Sequence, residues 1–427
     1  MNDLAINGGM PIRSKPWLDN FTTGEEEKRA VLEVLDGGYM SLFEGSHFPT
    51  PPFRADGGPW VRRFEALAAE MIPSEHVVSV NSASSGLTAA AGAIGIGFGD
   101  EMILPCSTMS ACPMAAMTYG AVPIFADVDP DTFGISPASI REKISPRTKA
   151  IMVVHLFGIP CDMDEIMAIA QEHDLKVIED CAQAWGATYK GKPVGTFGDI
   201  GVFSFNVNKT IQSGEGGFCV TPDSDLAYRM QLIRNHAEAV ADGARYDNLV
   251  NMVGFNFRMT ELVAAVAYEQ LKKLGALNEK RMELVGRLSD GLAKFDCIDG
   301  PLQRNDREST YYVYPFKFKS DKLNNKSVQD FVAAINAEGM DFVCGYGRPL
   351  YLQSVYQTRT VFKHGYPWAA PENKDSEADY SPGACPVAER MSSSEIVINE
   401  RVRPPHDTDD IDDMIRAVEK VVCAYSV

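Results

Sequence analysis

Short apolar runs alternate with amphipathic stretches from about residue 77 to residue 221 of the chain. Three of the amphipathic stretches predict helices, SGLTAAAGAIG, SPASIREKI and DMDEIMAIAQEHD, and Ser136 and Pro137 suit the N-cap and the first position of the second helix. The apolar runs are short and rich in β-branched residues, and they predict strands: VVSVNS, EMILP, VPIFADV, KAIMVVHLFG, LKVIED, DIGVFSF and GFCVTP. Such runs joined by helices predict an α/β fold with a mostly parallel sheet covered on both faces. We expect a ligand at the carboxyl ends of these strands.

The pattern changes after about residue 260. One long helical stretch covers residues 259–295, and Gly275 is the expected break in it. Beyond it, TYYVYPFKF, SVQDFVAAINAEG and MDFVCG predict a small α+β unit, closed by the helix DTDDIDDMIRAVEKVV. We therefore expect an N-terminal arm and large domain over residues 1–275 and a small C-terminal domain over residues 276–427. The Gly-, Pro- and aromatic-rich segment 37–60 predicts a long loop, and a loop of that length is often functional.

Charge and cysteine content narrow the range of partners. The 427 residues include 58 acidic and 40 basic side chains, a formal net charge of −18. Nucleic acids and anionic membranes would be repelled at long range, so we expect neither as a partner. The nine cysteines are scattered and never spaced as CxxC, which indicates reduced thiols in the cytoplasm and no metal site. The start MNDLAINGG has no signal-peptide features, and no apolar run reaches the ~20 residues of a membrane helix.

Polar residues follow several of the predicted strands, where the ligand is expected. After VVSV, the residues Ser82, Ala83 and Ser84 lead into a helix. Free N–H groups and short hydroxyls at a helix start suit a phosphate, although an ordinary N-cap explains the same residues. After LKVIE come Asp180 and, three residues later, Gln183. An aspartate at this point either hydrogen-bonds a ligand or caps the following turn.

Lys209 follows the strand DIGVFSF, which ends near Ser204, and precedes a loop with three glycines. A solvated surface lysine is the ordinary alternative, but these glycines allow the backbone to approach a bulky group closely. His155 ends the strand AIMVVH, where it is a candidate for a catalytic residue, a ligand or a buried core histidine.

Long stretches of the chain resemble the DegT/DnrJ/EryC1/StrS family of sugar aminotransferases. The resemblance runs from INGGMPIR near the start to RPPHDTDDIDDM near the end, and it includes GAVPIFADVDPDTFGI, LKVIEDCAQAWGATYKGKPVGTFGDIGVFSFNVNKTIQSGEGG and VGFNFRMTELVAAVAYEQL. It implies the aspartate aminotransferase fold, which is fold type I of the enzymes that use pyridoxal 5′-phosphate (PLP). It also implies PLP as the cofactor.

The resemblance assigns roles to the residues at the strand ends. It makes Lys209 the residue that forms a Schiff base with the cofactor's aldehyde and later moves the proton. It makes Asp180 the partner of the pyridine nitrogen, which the aspartate keeps protonated, and Gln183 a neighbour of the ring oxygen. Ser84 and Ser204 would hold the phosphate.

The remaining assignments concern the rim of the site. Ser82-Ala83-Ser84 stands where the family usually has a Ser-Gly-Thr-like triplet, and the N–H of Ala83 would help to bind the phosphate. Met109 takes the place of the aromatic residue that stacks on the cofactor, and its sulfur packs against a ring less rigidly. Asn256 resembles the asparagine that reaches the phosphate of the other subunit, which implies a homodimer with shared sites.

The resemblance predicts an aminotransferase of amino-sugar or aminocyclitol biosynthesis. Glutamate or glutamine would donate the amino group, and a nucleotide-linked keto sugar or a keto-cyclitol would accept it. His155, Tyr346 and Arg348 are candidates for substrate contacts, the last two within the loop region 344–370. Two alternatives stay open: a sugar dehydratase of the same fold, in which a histidine replaces the lysine, and a regulatory homologue without catalysis.

Overall fold

The computed structural model describes residues 3–44, 54–244, 246–301 and 303–426. Part of the predicted loop 37–60, residues 45–53, lies outside the described residues. The α-helices are α1 (Glu25–Asp36), α2 (Pro59–Met71), α3 (Ala83–Ala93), α4 (Ala111–Met117), α5 (Pro137–Lys143), α6 (Met163–Glu172), α7 (Ser224–Arg234), α8 (Ala237–Ala244), α9 (Glu261–Leu292), α10 (Val328–Ala337), α11 (Ser354–Gln357), α12 (Pro386–Arg390) and α13 (Thr408–Tyr425).

The strands come from the predicted apolar runs and from several short segments. They are β1 (His76–Val80), β2 (Glu101–Pro105), β3 (Val122–Ala126), β4 (Thr148–Val154), β5 (Lys176–Asp180), β6 (Thr188–Tyr189), β7 (Lys192–Pro193), β8 (Ile200–Ser204), β9 (Gly217–Thr221), β10 (Ile298–Asp299), β11 (Arg307–Glu308), β12 (Tyr314–Phe318), β13 (Phe342–Cys344) and β14 (Ile396–Asn399).

A seven-stranded sheet forms the centre of the molecule, in the order β1-β9-β8-β5-β4-β2-β3. Its strands pair in parallel from β8 to β3, whereas β9 is antiparallel to both of its neighbours. Every residue of β2, β3, β8 and β9 is buried, because helices cover both faces and each position along these strands must be apolar or paired. The predicted α/β class and mostly parallel sheet are confirmed, as are Ser136 and Pro137 at the start of α5.

A second sheet lies in the C-terminal part of the chain. Its order is β10-β12-β14-β13, and all of its pairs are antiparallel. The predicted α+β character of this region is therefore confirmed. None of the described helices combines the length and the apolar character that a membrane span requires.

The predicted break at Gly275 is wrong. Helix α9 is continuous through it, and a Cβ atom at Gly275 would meet nothing within 4 Å. An interior glycine costs only about 1 kcal/mol relative to alanine, and packing on both sides offsets this. The first half of α9 packs through Ala264 and Leu271 in one buried cluster, and its second half packs through Leu284 and Leu288 in the other. The expected domain boundary thus falls inside a helix.

The N-terminal arm packs on C-terminal elements. The guanidinium of Arg13 is buried and donates to Asp410 at the start of α13, with an Nη1–Oδ1 distance of 2.8 Å. The backbone N–H of Arg13 donates to the carbonyl of Glu338 at 3.0 Å. The arm then turns back to the large sheet, where the side-chain amide of Asn20 donates to the carbonyl of Lys209 at 3.2 Å. The arm therefore links the C-terminal region to the lysine loop.

Candidate active site

A cavity of about 190 Å³ opens at the carboxyl ends of β5 and β8. The starts of α3 and α4 close its other side, so strand ends and helix starts meet around one space, as expected for an open parallel sheet. The cavity brings together eight of the residues predicted from the sequence, and it is lined by Ser82, Ala83, Ser84, Leu87, Thr108, Met109, Ala111, Asp180, Ala182, Gln183, Ser204, Asn206, Lys209 and Glu215.

Lys209 lies in the loop between β8 and β9. Its N–H donates to the carbonyl of Asn206 at 2.8 Å, which fixes a tight turn after the strand. Its Nζ atom lies over the ring of Tyr312, 4.6 Å from the ring centre. Burial lowers the pKa of Lys209, while the carboxylates of Asp180 and Glu400 act in the opposite direction. A lysine in these surroundings reaches its neutral, nucleophilic form more easily than a surface lysine does.

Asp180 is the last residue of β5 and is buried. One carboxylate oxygen, Oδ1, accepts the N–H of Ala182 at 2.9 Å. The other, Oδ2, accepts the thiol of Cys112 at 3.4 Å. Burial raises the pKa of Asp180, and the two hydrogen bonds and the charge of Lys209 partly offset this effect. The carboxylate is thus held in place at the bottom of the cavity and retains lone pairs for a ligand.

Gln183 bridges two other elements at the cavity wall. Its Oε1 atom accepts the N–H of Phe157 at 2.8 Å, and its Nε2 atom donates to the hydroxyl of Tyr346 at 2.8 Å. The ring of Tyr346 also packs edge-on against Phe157. The structure therefore places Tyr346 beside the cavity, although its hydroxyl already has a partner.

The start of α3 forms the end of the cavity that suits an anion. Ser82 is the N-cap, and its Oγ atom accepts the N–H of Ser85 at 3.1 Å. The N–H groups of Ala83 and Ser84 belong to the first helical turn, which has no intrahelical acceptor for them. A Cβ atom on Gly217 would lie 2.8 Å from the nitrogen of Ala83, so only glycine lets β9 pass this helix start so closely. Backbone and hydroxyl donors therefore converge there.

Three predicted residues lie elsewhere. His155 is fully buried, and its ring nitrogens face Glu179 Oε2 at 3.1 Å and the N–H of Cys161 at 3.1 Å. The prediction that His155 contacts the substrate is therefore wrong: it is a buried histidine whose ring nitrogens are both occupied. Arg348 and Asn256 are exposed and do not line the described cavity.

Two residues that contact Asp180 and Lys209 were not among the candidates from the sequence. Cys112 contacts Asp180, and Tyr312 lies beneath Lys209. Cys112 is one of nine scattered cysteines, and Tyr312 belongs to the aromatic run TYYVYPFKF, so neither carries a local signal. Their roles depend on distant parts of the chain meeting at one place.

Two buried arginines donate hydrogen bonds to the residues next to Lys209. Arg281 of α9 donates to the hydroxyl of Thr210 at 2.8 Å, and Arg403 donates to the carbonyl of Asn208 at 3.1 Å. They therefore hold the residues on either side of Lys209. Burial, with Arg403 nearby, lowers the pKa of Arg281 to about 9. The Nε atom of Arg281 has no hydrogen-bond partner among the described residues.

Comparison with known proteins identifies the family. The model of the DegT/DnrJ/EryC1/StrS aminotransferase family matches residues 53–419. This chain belongs to that family. It is 33% identical to an L-glutamine:2-deoxy-scyllo-inosose aminotransferase from Micromonospora echinospora, over 99% of this chain and 98% of that protein. It is 42% identical to a GDP-perosamine synthase from Caulobacter vibrioides, over 63% of this chain and 67% of that protein.

The fold agrees with solved structures of DegT/DnrJ/EryC1/StrS aminotransferases and their relatives. An aminotransferase from Psychrobacter cryohalolentis superimposes with a TM-score of 0.81 at 30% identity, covering 97% of this chain and all of that one. The predicted fold type I and the aminotransferase class are confirmed, and the cofactor of this enzyme is PLP.

The side chains around the cavity fit this cofactor. A buried carboxylate suits the pyridine nitrogen, the donors at the start of α3 suit a phosphate, and a lysine with a lowered pKa suits the aldehyde. The three groups face one cavity of about 190 Å³. The residues present thus complement all three polar parts of PLP.

Proposed function

We propose that this aminotransferase moves an amino group from glutamate or glutamine to the carbonyl of a keto sugar or a keto-cyclitol, in the biosynthesis of amino sugars or aminocyclitols. The observation that supports it best is the meeting of Lys209, Asp180 and the start of α3 in one cavity. Amino transfer needs a lysine to move a proton, a carboxylate to keep the ring nitrogen charged and an anchor for the phosphate.

Each residue then has a defined task. The bound cofactor supplies an aldehyde to carry the amino group and a ring to accept electrons. Lys209 would hold the aldehyde of the cofactor, and its amine would accept the proton that leaves the donor's Cα atom. Asp180 would keep the proton on the ring nitrogen, Gln183 would contact the ring oxygen, and Ser84 and Ser204 would bind the phosphate together with the N–H of Ala83.

The names of the relatives indicate two classes of acceptor. The Micromonospora protein, which matches nearly the whole chain, is named for a keto-cyclitol, whereas the Caulobacter protein is named for a GDP-linked sugar. We propose Tyr346 and Arg348 as substrate contacts. Both lie on one segment next to the cavity wall, where the hydroxyl of Tyr346 accepts a hydrogen bond from Gln183. Met109 is about half exposed at the mouth of the cavity and would pack against the cofactor ring.

We propose that the enzyme is a cytoplasmic homodimer with shared active sites. Asn256 is exposed, and its carbonyl accepts the side-chain amide of Asn81 just before the phosphate-binding helix start. An exposed amide at this point is free to reach the phosphate of a partner's cofactor. We also propose a division into an N-terminal arm and large domain (1–275) and a small domain (276–427), which share helix α9.

The donor half-reaction tests the proposal without knowledge of the acceptor. Purified enzyme loaded with PLP should lose its long-wavelength absorbance band when glutamate or glutamine is added alone, and the donor should become its keto acid. The matching keto sugar or keto-cyclitol should then restore the band and yield an amine. A Lys209→Ala variant is the control, and it should neither convert the donor into its keto acid nor form an amine from the acceptor.

Other results would contradict the proposal. A dehydratase would consume its sugar without forming an amino sugar, and a regulatory homologue would bind ligands without cycling. If no common amino donor changes the spectrum of folded, PLP-loaded protein, the proposed function is wrong.

A further inference from the structure

A cysteine thiol lies directly behind the buried carboxylate of the site. Cys112, the second residue of α4, has no solvent exposure, and its Sγ atom lies 3.4 Å from Oδ2 of Asp180. On its other side the sulfur lies 3.6 Å from the hydroxyl of Thr108. Thr108, Cys112 and Asp180 thus form a short hydrogen-bonded row that ends at the carboxylate.

The direction of these bonds follows from the charges. Burial and the nearby carboxylate raise the pKa of Cys112 well above its usual value, so the thiol keeps its proton. An ionised carboxylate only accepts, and the thiol must therefore donate to Asp180. The hydroxyl of Thr108 is then free to donate to the sulfur. The row places two donors in line toward one negative charge.

The stability of the negative charge on Asp180 decides whether a proton stays on a base that faces it or moves to the carboxylate. Burial makes the Asp180 carboxylate unusually basic, which draws a proton away from any base that it faces. A hydrogen bond from Cys112 to Oδ2 stabilises the ionised form and opposes that tendency. The N–H of Ala182 acts in the same direction at Oδ1. The charges of Lys209 and His155 also act in this direction from other elements, and Tyr346 is a further titratable group near Asp180.

We propose that Cys112 is a positioning residue that keeps the proton on the cofactor's ring nitrogen by holding Asp180 in its ionised form. The proposal rests on the assignment of Asp180 to the ring nitrogen in the proposed function. It predicts that this thiol affects a property of the resting enzyme, before any substrate is present.

The test is the protonation state of the ring nitrogen in variants. Holoenzyme is prepared with PLP that carries ¹⁵N in the ring, and the nitrogen resonance is recorded for the wild type and for Cys112→Ala. We expect the resonance of the variant to move toward the unprotonated position, and kcat to fall about threefold to tenfold with little change in the donor KM. Cys161→Ala is the matched control, because it removes an equally buried thiol that donates to the carbonyl of Val154.

A second measurement covers the case in which Cys112→Ala fails to fold or to load cofactor. The S–H stretching band of the wild-type protein lies in a clear region of the infrared spectrum. One band should be shifted to low frequency by donation to a carboxylate, and it should move when Asp180 is replaced by asparagine. An unchanged ¹⁵N resonance in loaded Cys112→Ala, or an unchanged S–H band in Asp180→Asn, would overturn the proposal.

The two proposals fail in different ways. The ¹⁵N resonance is measured without donor or acceptor, so it reports on Cys112 even if the enzyme never transfers an amino group. If the ¹⁵N resonance moves in Cys112→Ala as expected but the wild-type enzyme does not react with any amino donor, only the proposed function is rejected.

Discussion

The amine of Lys209 lies over the ring of Tyr312, with 4.6 Å between Nζ and the ring centre. Lys209 follows a strand of the large sheet, whereas Tyr312 precedes β12 of the C-terminal sheet. An aromatic face stabilises an ammonium group, and it also excludes water from one side of it. The C-terminal half of the chain thus completes the surroundings of the lysine. Burial also raises the pKa of Tyr312 to about 12.

Replacing Lys209 by alanine should abolish turnover while PLP still binds without a covalent link. The donors at the start of α3 and the carboxylate of Asp180 remain in the variant. Borohydride reduction followed by peptide mass spectrometry should label Lys209 in the wild type and no residue in the variant. A label on a different lysine of the wild type would refute the assignment.

Replacing Asp180 by asparagine should leave PLP bound but slow amino transfer by at least tens- to a hundredfold. The change removes a charged, buried hydrogen bond worth about 2–3 kcal/mol, and an amide cannot hold the ring nitrogen's proton by charge. Single-turnover kinetics with the donor alone measure this step. A twofold effect would mean that Asp180 only caps the turn at Ala182.

The same substitution should stabilise the protein that lacks PLP. Burial raises the pKa of Asp180, so the folded state binds this proton more tightly than the unfolded state. The contribution of Asp180 to stability therefore falls as pH rises from about 3.9, the ordinary value for aspartate, through the raised value in the folded state. Each pKa unit of this difference between the folded and unfolded states corresponds to about 1.4 kcal/mol in the free energy of unfolding.

Urea unfolding of the two cofactor-free proteins at several pH values checks this sign. Asp180→Asn should be the more stable protein at neutral pH, and its advantage should shrink as the pH falls. An advantage that stays constant with pH would show that the carboxylate does not titrate as inferred.

Mixed dimers should test the role of Asn256. Lys209→Ala and Asn256→Ala chains are each expected to have little activity alone. If Asn256 serves the partner's site, a mixed dimer carries both changes in one site and leaves the other site intact, so activity should return to about half of the wild-type value per dimer. Purification with two different tags isolates the mixed species. No recovery in a verified mixed dimer would mean that Asn256 acts in the site of its own chain, and near wild-type activity of Asn256→Ala alone would place it outside the site.

Two glycine substitutions should have opposite effects. Gly217→Ala would place a Cβ atom 2.6 Å from the carbonyl oxygen of Phe203 and 2.8 Å from the nitrogen of Ala83, so we expect a loss of about 1–3 kcal/mol of stability and weaker binding of PLP. Gly275→Ala is the control, because its Cβ would meet nothing within 4 Å, and it should stabilise helix α9 by up to about 1 kcal/mol. Thermal unfolding and PLP titration measure both effects.

The sequence predicted those parts of the fold in which local pattern and tertiary packing agree. The apolar runs that became β1 to β5, β8 and β9 are buried on both faces, and their strand ends carry Asp180 and Ser204. The predicted helix break at Gly275 was wrong because the low helix propensity of one glycine is a small effect compared with the packing of a long helix. His155 directly follows β4 near the site, yet its ring contacts Glu179 and the N–H of Cys161, and the pattern along the sequence does not reveal which way a side chain points.

The continuous helix α9 has a consequence for gene fusion and recombination between relatives. Its first half is packed with the cluster that holds Trp185 and Phe205, and its second half with the cluster that extends to the C-terminal sheet. A crossover placed at residue 275 would keep each half with its own core. It would nevertheless separate Arg281 from Thr210 and Tyr312 from Lys209, which meet across that point. Viable chimaeras should therefore inherit residues 206–210 and residues 281–312 from the same parent.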